Sequence, residues 1–150
     1  MLYDGLGELP HFNPDLEESE PVVVTELRRQ IAAADGLLIS SPEYAHGVPG
    51  ALKNLLDWLV SGAEFTHKPV ALFNASQYST HGHAALAETV TVMSGRLIPG
   101  ASITVPLRGT KLDEDGIVAH PEISRSIRDA LAAFAGGIER EQAAAAAAAS

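Results

Sequence analysis

Hydrophobic positions along the chain switch repeatedly between two periods. After Ser19-Glu20-Pro21, a helix-starting sequence, Val23, Val24, Leu27, Ile31 and Ala34 recur at helical spacing until Asp35-Gly36 stops them. Leu37, Leu38 and Ile39 follow as a short continuous apolar run bounded by Gly36 and Ser40-Ser41-Pro42, the pattern of a strand buried on both faces. Gly47, Pro49 and Gly50 turn the chain into a second helix, with Leu52, Leu55, Leu56 and Leu59 on one stripe, Lys53 and Asp57 on another, and Gly62 as a stop. Val70 to Phe73 repeat the buried-strand pattern after Lys68-Pro69. Leu86, Val90, Met93 and Leu97 mark a third helix ended by Pro99-Gly100, and Ile103-Thr104-Val105 reads as a third strand. Beyond a polar loop at 108–120, Pro121 opens a last helix with Ile123, Ile127, Leu131, Phe134 and Ile138 on one face and Gly136-Gly137 as an early end.

Helix and strand thus alternate from residue 21 to about residue 138, which implies an α/β fold with a parallel sheet covered on both faces. The ends behave differently. Residues 1–20 read as irregular, because Leu9-Pro10 and Asn13-Pro14 disfavour helix at the preceding residue. Ala143 to Ala149 has high helix propensity and no amphipathic pattern to dock it, so a frayed or disordered tail is expected. The expected division is a domain over 1–142 and a low-complexity tail over 143–150.

Composition narrows the function classes. The 150 residues allow one sizeable core, and 46% hydrophobic with 19% charged residues is an ordinary globular mixture. With no cysteine there is no disulfide scaffold, thiolate zinc site or thiol nucleophile. Nineteen acids against 10 bases, a net charge of -9, argue against nucleic-acid or anionic-membrane partners, which need a positive patch. Asp4, Glu8, Asp15, Glu17, Glu18 and Glu20, with no Lys or Arg among residues 1–20, make neither a signal peptide nor a mitochondrial presequence. No apolar run is long enough to span a bilayer, and a cytoplasmic location is expected.

In open parallel sheets, ligands bind beyond the carboxyl ends of the strands. Two loops have that position, Ser40 to Gly50 and Asn74 to Gly82. The first combines two prolines, two glycines and Tyr44, giving a rigid backbone with exposed N–H groups and a flat apolar surface suited to a planar heterocycle; a plain connecting turn with a surface tyrosine is the alternative. Ser41-Pro42-Glu43-Tyr44 followed by Pro49-Gly50-Ala51-Leu52-Lys53-Asn54-Leu55-Leu56-Asp57-Trp58 resembles the signature of the NADPH-dependent FMN reductase family, a likeness that runs from about Leu9 to about Gly109. The resemblance implies a flavodoxin-like three-layer fold and hydride transfer from NADPH or NADH to bound FMN, then to a quinone or similar small acceptor. It implies that Pro42, Glu43 and Tyr44, with the main chain of Ala45, His46 and Gly47, hold the edge of the flavin ring, and that the loop containing Ser76 and Gln77 and running to Gly82 borders its other side. Ala45 stands where the family commonly has Asn. Lys53 and Asn54 either orient the first loop or are solvated helix positions. The resemblance also implies a homodimer or homotetramer in which Trp58 is either a subunit contact or a partly buried helix flank. It assigns no protein acid or base.

The family's opening strand, its Gly-Ser-x-Arg-x-x-Ser phosphate loop and its first helix have no counterpart here; Ser94-Gly95-Arg96 falls at the wrong end of a predicted helix for an anion. The expected fold is therefore N-terminally incomplete, with Leu37 to Ser40 as an open apolar edge. Either the working protein begins upstream of Met1, the preferred explanation, or this is a shortened form with weak or no flavin binding. The competing functions are a non-catalytic interaction module and a flavodoxin-like electron carrier. Other constellations are weaker. His81-Gly82-His83 lacks a third metal ligand, Asp113-Glu114-Asp115-Gly116 lacks calcium-loop spacing, and Ser40, Ser41 and His46 form no hydrolase elbow.

Overall fold

A computed structural model of the chain describes residues 1–148. In chain order its main elements are α1 (Val22–Ala33), β1 (Leu37–Ser40), α2 (Gly50–Leu59), β2 (Pro69–Asn74), α3 (Thr80–Val92), β3 (Arg96–Leu97), β4 (Ile103–Thr104), α4 (Glu114–Ala119) and α5 (Pro121–Ala148). Strand β2 is buried at every position except Phe73, which is half-buried. On one edge it pairs in parallel with β1, from Leu37 opposite Val70 to Ser40 opposite Phe73. On the other it pairs in parallel with β3, Arg96 opposite Pro69, and then with β4, Ile103 opposite Phe73.

Alternation along β2 sends side chains into two cores. Val70 and Leu72 meet Val24 and Leu27 of α1, Leu56, Trp58 and Leu59 of α2, Phe65, and Leu86 and Val90 of α3. Ala71 meets Ile98, Ala101 and Phe134 of α5 on the opposite face. The result is the expected α/β arrangement of three layers around a parallel sheet, with α1, α2 and α3 on one side and α5 on the other.

Several local expectations change. Strand β1 alternates between half-buried and exposed residues instead of being buried on both faces, and Leu38, in register with Ala71 on the α5 side, is 43% exposed. Among the described residues nothing pairs with its outer edge. Helix α3 ends at Val92, so Leu97 belongs to a strand. The reason is Ser94-Gly95: Ser94 adopts φ 63°, its carbonyl accepts the His67 N–H at 2.7 Å, and Gly95 lies so close to Phe65 and Val90 that a Cβ there would stand 2.7 Å from the Phe65 ring. The expected third strand is a lane interrupted between Leu97 and Ile103, and the Leu72 N–H facing the gap donates to Ser102 Oγ at 3.0 Å. Within the loop expected at 108–120, Asp113 caps the short α4 by accepting the Gly116 N–H at 2.8 Å.

Both chain ends are more ordered than their composition suggests. Residues 1–20 contain 3-10 turns at Gly5–Glu8 and Pro14–Ser19, and Leu9 is buried. The Pro10 carbonyl accepts from Asn54 Nδ2 at 3.0 Å and Trp58 Nε1 at 2.8 Å, while the Phe12 N–H donates to Asn54 Oδ1 at 2.8 Å. Phe12 also meets Trp58 edge-on, with centroids 5.1 Å apart. Trp58 is completely buried, which removes both its expected roles, subunit contact and partly buried flank. Asn54 is a staple for the N-terminal segment, and Lys53 pairs with Asp57 along the helix, so neither orients the first loop. Lys68 Nζ donates to the Ala34 carbonyl at 2.6 Å, closing the end of α1, and burial lowers the pKa of its ammonium.

At the other end, α5 passes through Gly136-Gly137 and residue 142 without a break and continues to Ala148, so the alanine stretch is helical where fraying was expected. Arg96 pairs with Glu141, and Gln142 Nε2 donates to Asp35 Oδ1 at 2.8 Å, tying this helix to the amino-terminal end of the sheet. Ala149 and Ser150, the last part of the expected tail, lie outside the described residues. Among the described residues no helix is long and apolar enough to cross a membrane.

Gly137 explains why the glycine pair does not stop the helix. A Cβ there would stand 2.3 Å from Ile98 Cγ2, whereas one at Gly136 meets only the mobile end of Arg140, at 3.3 Å. Gly137→Ala is therefore expected to lose about 1–2 kcal/mol by overpacking, more than its gain in helix propensity. Gly136→Ala is expected to gain up to about 1 kcal/mol, since it makes the same backbone change without the clash. Urea denaturation of the two variants checks the opposite signs.

Candidate active site

The loops at the carboxyl ends of β1, β2 and β4 converge. In the first, the Tyr44 N–H donates to the Gly47 carbonyl at 3.2 Å and the Gly47 N–H returns to the Tyr44 carbonyl at 2.9 Å. Only two residues separate them, and both are left-handed, Ala45 at φ 49° and His46 at φ 60°. This is the backbone of a type I′ turn, which Asn and Gly adopt most readily. Each non-glycine residue there costs roughly 1–2 kcal/mol. The turn leaves the backbone N–H groups of Ala45 and His46 without a partner among the described residues, beside a Tyr44 side chain that is 67% exposed.

The second loop is organised from beneath by a buried side chain. Asn74, at the end of β2, donates from Nδ2 to the Ser79 carbonyl at 3.1 Å and accepts the Ser76 N–H on Oδ1 at 3.0 Å. Ser76 Oγ then accepts the Tyr78 N–H at 3.2 Å. The third loop follows β4. Its Val105 N–H donates to the Asn74 carbonyl at 2.7 Å and its Leu107 N–H to the Ala75 carbonyl at 3.1 Å. These bonds bring Arg108 over the Tyr78 ring, 5.2 Å from its centroid.

Two contacts join the first loop to the second. The Glu43 carboxylate accepts the Gly82 N–H at 2.6 Å, placing a negative group in the first turn of α3, where the helix dipole favours it. Gly82 is buried at this junction, and a Cβ would stand 2.9 Å from Glu43 Cγ and 3.0 Å from the Gly47 carbonyl. Above them the His46 and His81 rings stack, centroids 4.4 Å apart and planes at 17°.

The nine residues expected at the site lie on the first two of these loops and in the first turn of α3, in two groups. Glu43, Gly47 and Gly82 form the internal joinery: the carboxylate is engaged by α3, and the Gly82 N–H is already used. Pro42, Tyr44, Ala45, His46 and Gln77 are exposed and Ser76 is half-buried, so these remain available to a ligand. Asn74 and Arg108 were missed. Asn74 closes an otherwise apolar strand, a local signal that could have found it; Arg108 has no local motif and becomes visible only when its loop is placed. His81, considered as a metal ligand, is instead the stacking partner of His46.

The family model for NADPH-dependent FMN reductase matches residues 2–107 of the chain. An NADPH azoreductase from Bacillus sp. (strain OY1-2) is 39% identical over 95 residues, which are 63% of this chain and 53% of that protein. A 2-hydroxy-1,4-benzoquinone reductase from Burkholderia sp. is 49% identical over 53 residues, 35% of this chain and 29% of that protein. The chain thus spans about half, or less, of the length of these two relatives. Among solved structures, a flavoenzyme NAD(P)H:(acceptor) oxidoreductase from Paracoccus denitrificans superposes with a TM-score of 0.73 at 23% identity, covering 91% of this chain and 78% of that one, a likeness of fold.

The geometry yields two stability predictions. Ala45→Asn relieves a left-handed alanine and is expected to stabilise the chain by about 0.5–1 kcal/mol in urea denaturation. Gly82→Ala forces the two loops apart, so a loss of about 1–3 kcal/mol is expected. The same variant should shift the His46 and His81 ring resonances in NMR spectra, because their stacking depends on that approach.

Proposed function

Because the chain belongs to the NADPH-dependent FMN reductase family, we propose that it binds the ring of FMN in the crevice between the β1, β2 and β4 loops and works as an NAD(P)H-dependent reductase of quinone-like or azo acceptors. The observation that carries this reading is the left-handed Tyr44–Gly47 turn, held to α3 through Glu43, with two free N–H groups beside an exposed aromatic ring. A strained backbone held in place by its surroundings is a mark of a ligand site.

The ring end of the cofactor fits the residues present. Tyr44 offers a flat apolar face, the Ala45 and His46 N–H groups offer donors to the polar ring edge, and Ser76 and Gln77 border the opposite side. The phosphate end is not built by the described residues. The amino terminus of α3 is taken by Glu43, and α2 begins directly after Pro49 with Lys53 engaged by Asp57. Bound FMN would supply the hydride chemistry. The chain's own part is to orient the ring: Glu43 and Gly82 fix the loop spacing, Asn74 fixes the second loop, and Pro42 stiffens the entry to the turn. Small-molecule acceptors, NADPH or NADH as donor, and a homo-oligomeric state belong to the same proposal. A second reading, a flavin-independent interaction module, draws on the unpaired outer edge of β1 and the exposed Leu38.

Titration with FMN, followed by flavin fluorescence and then by NADPH oxidation, separates the two. Saturable quenching is expected, weakened about tenfold by Tyr44→Ala, the loss of one aromatic contact of about 1.4 kcal/mol. A folded chain that leaves FMN fluorescence unchanged and forms a defined oligomer overturns the reductase reading in favour of the interaction module.

A further inference from the structure

The crevice carries a cation that holding the cofactor ring does not explain. Five of the ten basic side chains are matched among the described residues: Arg28 to Glu20 and Glu64, Arg29 to Glu26, Lys53 to Asp57, Arg96 to Glu141, and Lys68 to backbone carbonyls. Arg108 has no carboxylate partner among the described residues, although the chain has 19 acids for 10 bases. It is nevertheless positioned. Its loop is tied to Asn74 and Ala75 by the Val105 and Leu107 N–H groups, and its guanidinium lies over the ring of Tyr78, which follows Ser76 and Gln77 in the second loop. A cation–π contact consumes no N–H group, and among the described residues no hydrogen bond or ion pair engages those of Arg108, so the planar fork that matches a carboxylate or sulfonate is free. The remaining cations without ion pairs stand differently: Lys111 is three residues further along the same loop, and Arg125, Arg128 and Arg140 lie on α5, which packs on the opposite side of the sheet from α3.

We infer that Arg108, seated on Tyr78, receives an oxyanion group carried by the electron acceptor, so that aromatic carboxylates and sulfonates are preferred over neutral acceptors of the same size. The inference rests on the reductase reading and adds the acceptor class. The net charge of -9 repels such ligands at long range, so an anionic acceptor needs a fixed cation at the crevice, whereas a neutral one does not. Tyr78 is the positioning residue, acting through the orientation of Arg108.

Equilibrium titration of the FMN-supplemented chain with anthraquinone-2-sulfonate and with neutral menadione tests this without turnover. Arg108→Gln is expected to weaken the sulfonate about tenfold, the loss of one charge-assisted contact, and to leave menadione unchanged. Tyr78→Phe should retain sulfonate binding and Tyr78→Leu should lose about threefold, which separates a stacking role from a hydroxyl role. Salt raised to about 0.5 M should weaken the sulfonate in the parent and not in Arg108→Gln. Equal sulfonate binding by parent and Arg108→Gln overturns the inference. So does an Arg108→Gln variant that loses affinity for FMN while keeping it for riboflavin, because the guanidinium then serves the cofactor phosphate. If the parent fails to oxidise NADPH but binds the sulfonate through Arg108, the reductase reading falls and the anion site stands; the reverse pattern removes only the anion site.

Discussion

The constraint on which the molecule depends is that β2 is covered on both faces and paired on both edges. A strand in that position must be apolar on both sides and must satisfy its backbone in two directions. Val70 and Leu72 anchor the core that holds α1, α2 and α3, and Ala71 anchors the core under α5. The small Ala71 side chain and the absent side chain of Gly137 let α5 approach the sheet closely enough for Phe134 to fill the remaining space. Where the third lane breaks, the requirement persists, and Ser102 supplies with a side chain the acceptor that a continuous strand would have supplied with its backbone. The same strand ends in Asn74, whose amide organises the second loop, so the main support of the fold is also the first support of the crevice.

The crevice is a balance between strain and cross-bracing. Two left-handed non-glycine residues together oppose the Tyr44–Gly47 turn by roughly 2–4 kcal/mol. Against this stand the paired backbone bonds of the turn and a charge-assisted bond from Glu43, each contributing from about 0.5 to 3 kcal/mol. The sums are comparable, so the Glu43–Gly82 bond is a substantial part of what holds the turn. That joint requires a residue with no side chain at 82, since even a methyl group would meet Glu43 and the Gly47 carbonyl together. Glycine is needed here for close approach between loops, with the helix backbone itself in ordinary geometry.

Where local pattern and local chemistry coincide, the fold was legible in the chain. The helical stripe of α2, the apolar run of β2 and the Pro-Glu-Tyr loop all stand where spacing placed them. Legibility failed where a distant contact overrode the local signal. Leu97 continues a helical spacing from Leu86 and Val90, but the tight Ser94-Gly95 turn against Phe65 ends the helix first. Gly136-Gly137 looks like a stop, and one of the pair instead serves helix–sheet contact. Trp58 and Asn54 carried a signature whose meaning was ambiguous, because the group they bind, the Pro10 carbonyl, is separated from them by more than forty residues. In the loops, the difference between Glu43, engaged by the Gly82 N–H, and Tyr44, exposed, depends on geometry that no spacing conveys.

The two sides of the sheet differ, and the difference bears on how the crevice is held. On the α1–α3 side, Leu37 and Ile39 of β1 pack into a core shared with three helices. On the α5 side Leu38 is partly open, and the outer edge of β1 has no partner among the described residues. A loop hung from such a strand would inherit the mobility of an edge if the strand were its only support. Here the loop after β1 is fastened at its far side as well, through Glu43 to α3 and through Val48, which packs into the larger core, before the chain enters α2. The crevice geometry is therefore set by β2, α2 and α3, the well-buried elements, and depends little on what meets the open edge of β1. That separation is what allows the loops to be held to close tolerances beside an incompletely covered strand.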